Sequence, residues 1–73
     1  MNEGTLYAVV AYTLNEDEEL EFDRYERLFK NKKDALFYSN SCALVYELSF
    51  FNVEPLSYEI AKAGGILDLL KED

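Results

Sequence analysis

The stretch TLYAVVAYTL, residues Thr5–Leu14, decides how the chain is read. It is long enough for a strand and rich in β-branched and aromatic residues. Leu6, Ala8, Val10 and Tyr12 fall on one side of such a strand, and Tyr7, Val9 and Ala11 on the other. Both sides are apolar, which predicts a central strand covered on at least one face. Beyond a polar connector, Asn15 to Glu19, the segment LEFDRYERLF (Leu20–Phe29) alternates as a mixed second strand. Leu20, Phe22, Arg24, Glu26 and Leu28 oppose Glu21, Asp23, Tyr25, Arg27 and Phe29, a pattern that suits a sheet edge where charge discourages stray pairing. The two strands predict a long hairpin around an acidic turn.

Working outward, Asn31 has the chemistry of a helix N-cap, and Asp34 falls where a carboxylate meets the positive helix end. A helix over about residues 32–47 follows, with Ala35, Tyr38, Cys42 and Val45 at core spacing and Phe37, Ser41, Leu44 and Leu48 widening the apolar arc. Lys33, Asn40 and Glu47 mark its wet side. Residues 42–48 also carry enough β propensity for the alternative, a helix ending near Asn40 and a longer strand after it. Phe50 to Leu56 predicts a third strand, with Pro55, which has no N–H for a central ladder, at the strand's end or on an edge. Tyr58 to Leu70 reads as helical on either side of Gly64-Gly65, a pair expected to break or kink it. The expected fold is therefore α+β, a small two-layer sandwich with hairpin, helix and third strand in ββαβ order and a short C-terminal helix. Its apolar tail, Ile66, Leu67, Leu69 and Leu70, either covers the open sheet face or forms an oligomer contact with a second copy.

At 73 residues the chain holds one domain, residues 1–73. An apolar content of 49% is too high for a disordered chain despite a formal charge of −8. No uncharged run approaches the roughly 18 residues of a membrane-spanning helix, and no basic leader precedes Gly4. Histidine is absent, which removes the usual acid–base group near neutral pH and the commonest transition-metal ligand. Cys42 is the one cysteine, so neither a disulfide nor a multi-cysteine zinc site is expected, and a free thiol suits a cytoplasmic location. Its apolar neighbours favour core filler over a nucleophile. No glycine spacing cradles phosphate. The chain is therefore expected to be non-enzymatic and without a cofactor or metal.

Charge is segregated. Glu16, Asp17, Glu18, Glu19, Glu21 and Asp23 place six carboxylates within eight positions, whereas Arg24, Arg27, Lys30, Lys32 and Lys33 make the next segment basic. Asn15, Asp17, Glu19 and Glu26 match four positions of an EF-hand loop, but Leu20 stands where that loop needs glycine. A run of exposed acids also lacks the asymmetry that separates a general acid from a general base. The basic segment, with Tyr25 and Phe29 interleaved, is the second candidate for binding. The net negative field opposes nucleic acid and anionic membrane and favours a cationic protein surface.

LYAVVAY followed by RLFKNKKDALFYSNS resembles a layout in short phage and prophage proteins: a strand ending on an apolar pair, Leu28-Phe29, then a helix opened by a charged run and Ala35. Small size, acidity and the empty catalytic inventory also resemble phage-encoded host-takeover and anti-CRISPR inhibitors. The resemblance implies a bacterial-host cytoplasm and a modulator of a larger protein, and it assigns no residue a role. The expected function is a non-catalytic acidic module in which Glu16, Asp17, Glu18, Glu19, Glu21 and Asp23 engage a basic, nucleic-acid-binding surface by imitating a phosphate backbone. A small oligomer that sequesters a ligand, with a homodimer held by the tail, and a structural or assembly accessory are the alternatives.

Overall fold

The computed structural model describes residues 4–70. Strands β1 (Thr5–Leu14) and β2 (Leu20–Phe29) form the hairpin; helix α1 (Lys32–Val45) leads to strand β3 (Phe50–Ser57), and helix α2 (Tyr58–Ala63) precedes a single 3₁₀ turn, Leu67–Leu69. The sheet order is β2-β1-β3, antiparallel throughout, so β1 is central and the fold is α+β in ββαβ order. Pro55 lies in an edge strand, where its missing N–H breaks no central ladder.

Each face of β1 is covered by a different segment. Helix α1 takes the face of Val9 and Ala11. Ala35, packed with Val9 and Phe29, is buried with Ser39 and Cys42, a stripe of small side chains that brings the helix close to the sheet. Leu6, Ala8 and Val10 on the opposite face join Leu28 and Ala61, with Ile66, Leu67, Leu69 and Leu70 packed against them. The apolar tail thus covers the second face at its proximal end; Lys71, Glu72 and Asp73 lie outside the described residues.

The tail turns back because Gly65 adopts φ +73°. Ile66 N–H donates to the carbonyl of Ala61 at 3.1 Å and Gly65 N–H to that of Lys62 at 3.2 Å, the paired bonds of a Schellman cap. Leu70 then bridges Leu28 in parallel. At its start, α1 is capped by Asn31, whose side chain accepts from the N–H groups of Lys33 and Asp34. The helix continues to Val45, so residues 42–45 are helical and 46–49 form a turn rather than extending β3.

Two expectations are corrected. The wide apolar arc of α1 is not buried: Phe37 is 75% exposed, Leu44 85%, Val45 70% and Leu48 88%. A three-stranded sheet is too narrow to cover more than the Ala35–Ser39–Cys42 stripe and its flank, Tyr38. Strand β2 does not alternate simply either. Its pairing with β1 skips Glu26, between Tyr25 and Arg27, and Asp23, between Phe22 and Arg24. Two bulges invert the short segment between them. Tyr25 moves to the face of Phe22 and Leu28, while Arg24 joins Arg27 on the α1 side.

Removing residues 66–73 uncovers Leu6, Val10 and Leu28. Losing the half-buried leucines should cost about 3–5 kcal/mol, most of the stability of so small a domain. Chemical denaturation of the truncated chain should show no cooperative transition, and an unchanged midpoint would mean that the tail contributes nothing to the fold.

Candidate functional site

The pairing of β3 with β1 stops at Phe50 opposite Tyr12. Residues 13–21 therefore extend past the third strand as a two-stranded ribbon, and the molecule is elongated, 41 × 24 × 18 Å. The turn at its tip is built by Asn15. Its side-chain oxygen accepts from Asp17 N–H at 2.8 Å and Glu19 N–H at 3.0 Å, and its backbone carbonyl accepts from Glu18 N–H at 3.0 Å. The Asn15 carboxamide thus organises the turn, which is the physical content behind its match to a calcium loop. Glu18 stands at φ +62°, a left-handed conformation that costs a residue with a Cβ about 1 kcal/mol or more.

Glu16, Asp17, Glu18 and Glu19 are all exposed on this turn, and Glu21 is exposed on the ribbon. Asp23 is set apart from them. Asp23 and Glu26, the two bulge residues, both bind Arg24, and the Glu26 bond to the guanidinium measures 2.8 Å. Burial acts against the charge on Arg24, yet these two carboxylates outweigh it and raise its pKa. The acidic ridge is therefore five carboxylates, Glu16 to Glu19 and Glu21, that make no ion pair among the described residues.

Beside the ridge lies an apolar surface. The tail covers only the proximal end of its sheet face, so Leu14, Leu20, Phe22 and Phe50 are each about half exposed at the distal end. Tyr12 and Phe22 meet edge to face at 6.3 Å, and Phe22 and Tyr25 at 5.2 Å, so the aromatic rings run from the core into this open patch. Tyr12 donates its hydroxyl to Glu54, and that bond raises the tyrosine pKa. The signal for the patch was present in the alternation of Leu14, Leu20 and Phe22; what the sequence hid was where β3 stops.

The basic segment is dispersed by the same bulges. Arg24 lies 5.6 Å from the centre of the Tyr46 ring and Arg27 5.8 Å from that of Tyr38, both on the α1 side of the sheet. Lys30, Lys32 and Lys33 remain exposed at the other end of the molecule. No continuous cationic strip results. A cleft of about 650 Å³ opens there, lined by Lys30, Tyr58, Glu59 and Leu70 among others. Cys42 is buried between α1 and the sheet. Burial first, then the Glu26 carboxylate, pushes its thiol up, with Tyr38, Arg24 and Arg27 partly offsetting them. The thiol serves there as a packing group between the helix and the sheet.

Among the described residues no group of acidic and cysteine side chains could hold a metal ion, and no helix is long and apolar enough to cross a membrane. No family model, curated protein or solved structure matches the chain.

Relief of the left-handed strain makes Glu18→Gly stabilising by up to about 1 kcal/mol, whereas Glu18→Ala, which removes the charge but keeps the Cβ, should gain less. Thermal melts of the two variants separate strain from charge; a destabilised glycine variant would show that the strain is absent. Because the Cys42 pKa is raised in the fold, its neutral form stabilises the protein fully below the unfolded thiol value, about 8.5, and this contribution is lost as pH rises through the folded value. Stability should fall above about pH 9 in denaturant titrations, and Cys42→Ala should flatten that fall while lowering neutral-pH stability by about 1–2 kcal/mol through lost packing.

Proposed function

We propose that the protein is a non-catalytic binding module whose projecting ribbon inhibits or modulates a larger protein, in the manner of small phage-encoded inhibitors. One observation carries this reading: the carboxylates of the ribbon tip adjoin the half-exposed Leu14 and Leu20 on the same projection and Phe22 and Phe50 at its base. A turn that served only to keep the chain soluble would have no need of four large apolar side chains beside it. The partner matching this composite is a basic protein surface with apolar side chains among its Lys and Arg, such as a nucleic-acid-binding face. The carboxylates take the place of phosphates there, and the leucines and phenylalanines fill hydrophobic depressions between the cations.

The two halves of the surface act on different rate constants. Exposed like charges steer encounter over roughly the 8 Å screening length of physiological salt, so they set the association rate. Apolar burial acts after docking and sets dissociation. A partner captured from source-cell extract should associate about 10–100-fold more slowly at low salt when Glu16, Asp17, Glu18 and Glu19 are replaced by their amides. It should dissociate about tenfold faster from a Leu14→Gln, Leu20→Gln variant, whose folding circular dichroism verifies. Surface plasmon resonance in rising salt reads both. Undiminished affinity of the amide variant, with the parent's salt dependence, would overturn the reading.

A further inference from the structure

The strand register places Glu54 where the cover of the tail ends. Ala8, its partner on β1, is buried in the cluster of Ala61 and the tail leucines. Toward the ribbon, Asn52 and Phe50 follow Glu54 on the same side of β3, and both are exposed. Phe50 pairs with Tyr12 and Tyr12 with Phe22, so three aromatic rings form one row across the sheet. Glu54 itself is half-buried. Its Oε2 accepts from the Tyr12 hydroxyl and from Asn52 Nδ2, the second at 3.3 Å. Its Oε1 takes no donor among the described residues.

Among the described residues no cation balances this charge. The ion pairs are those of Arg24 with Asp23 and Glu26, and Arg24 and Arg27 lie on the α1 side of the sheet. A half-buried carboxylate without a counter-ion is unfavourable, and two neutral donors offset only part of the cost. Glutamine would accept the same two hydrogen bonds without a charge. Holding the Tyr12 ring therefore does not account for a carboxylate at this position. Beside it stand half-exposed rings, and an aromatic face attracts a cation through its quadrupole. A held carboxylate with one open oxygen, next to aromatic surface, is the chemistry that receives a guanidinium. That group is flat, weakly hydrated and able to stack while it donates, whereas the ammonium of lysine keeps its water more strongly.

We infer that Glu54 receives an arginine side chain of the partner protein, hydrogen-bonded to its carboxylate and laid against the aromatic row of Tyr12, Phe22 and Phe50. The inference rests on the proposed function and deepens it, because it names the residue that the partner's basic surface inserts. The two acidic features then have separate tasks. The exposed carboxylates of the ribbon tip draw the cationic surface in, and Glu54, desolvated on docking, anchors one arginine of it.

The probe is a blocked tripeptide, acetyl-Gly-Arg-Gly-amide, titrated to about 10 mM into the isotope-labelled full chain and followed by amide NMR. The Asn52 side-chain amide and the backbone N–H groups of Phe50, Asn52 and Glu54 should shift and saturate, with dissociation on the order of 1 mM. Citrulline in place of arginine keeps the shape without the charge and should bind about tenfold less; lysine should bind about threefold less. Glu54→Gln, whose folding a thermal melt verifies, should weaken the arginine peptide about tenfold, and Phe50→Leu about threefold. Equal binding of the arginine and citrulline peptides, or binding indifferent to Glu54→Gln, would overturn the inference. Shifts confined to Asp17, Glu18 and Glu19, and lost when Glu16 to Glu19 are replaced by their amides, would overturn it while leaving the proposed function intact. Shifts at Asn52 and Glu54 that persist in that amide variant would support the arginine site, even where partner association proves indifferent to the tip charges.

Discussion

A strand that is apolar on both faces has to be covered twice, and after the hairpin this chain has only two segments with which to do it. Ala8, Val9, Val10 and Ala11 are all buried, though consecutive residues point to opposite sides of the sheet. Helix α1 answers one side and the tail from Ala61 to Leu70 the other. The small side chains follow from this arrangement. Ala8 and Ala11 in the strand, with Ala35, Ser39 and Cys42 in the helix, keep the layers close in a domain too short for a thick core. Neither cover reaches the distal end of the sheet, and the ribbon with its open apolar patch is the part left over.

Much of this was legible in the sequence. The period-two pattern of Thr5–Leu14, the Asn31 cap and the Gly64-Gly65 break are local signals, read from residues that act on their immediate neighbours. The inversion of Arg24 and Tyr25 was not legible. Strict alternation assumes one residue against one, and a bulge is visible only when the partner strand supplies the register. The physical reason for the bulges emerges from charge. Asp23 and Glu26, the two unmatched residues, both close on Arg24, and the inverted segment sends Tyr25 to the apolar side.

The outer stripe of α1 illustrates a different limit. Helical periodicity gathers Phe37, Ser41 and Leu44 on one arc with the core positions, but it does not report how wide a surface the helix rests on. Three strands support a narrow stripe, and whatever is apolar beyond it remains in water. An exposed leucine is ordinary on a protein surface. Phe37 and Leu44, in line on the outer face, are the apolar residues that this narrow sheet leaves uncovered.

The acidic tip and the α1 face divide the molecule electrostatically. Fifteen acids against seven bases leave a field that repels most macromolecular anions and every other copy of the chain. Within that field the lysines at residues 30–33 are the exception, and they sit at the opposite end of the molecule from the Glu16–Glu19 turn. Repulsion among neighbouring carboxylates opposes the compact state, and Asn15 offsets part of it by tying the turn with three accepted hydrogen bonds. Glu18 adds backbone strain at the same place, in a turn where glycine would relieve both. A tip that concentrates charge and strain while making no contact with the core is unfavourable for folding alone. On the proposed function, a cationic surface would neutralise the carboxylates, and the adjoining leucines and phenylalanines would lose their water in the same step.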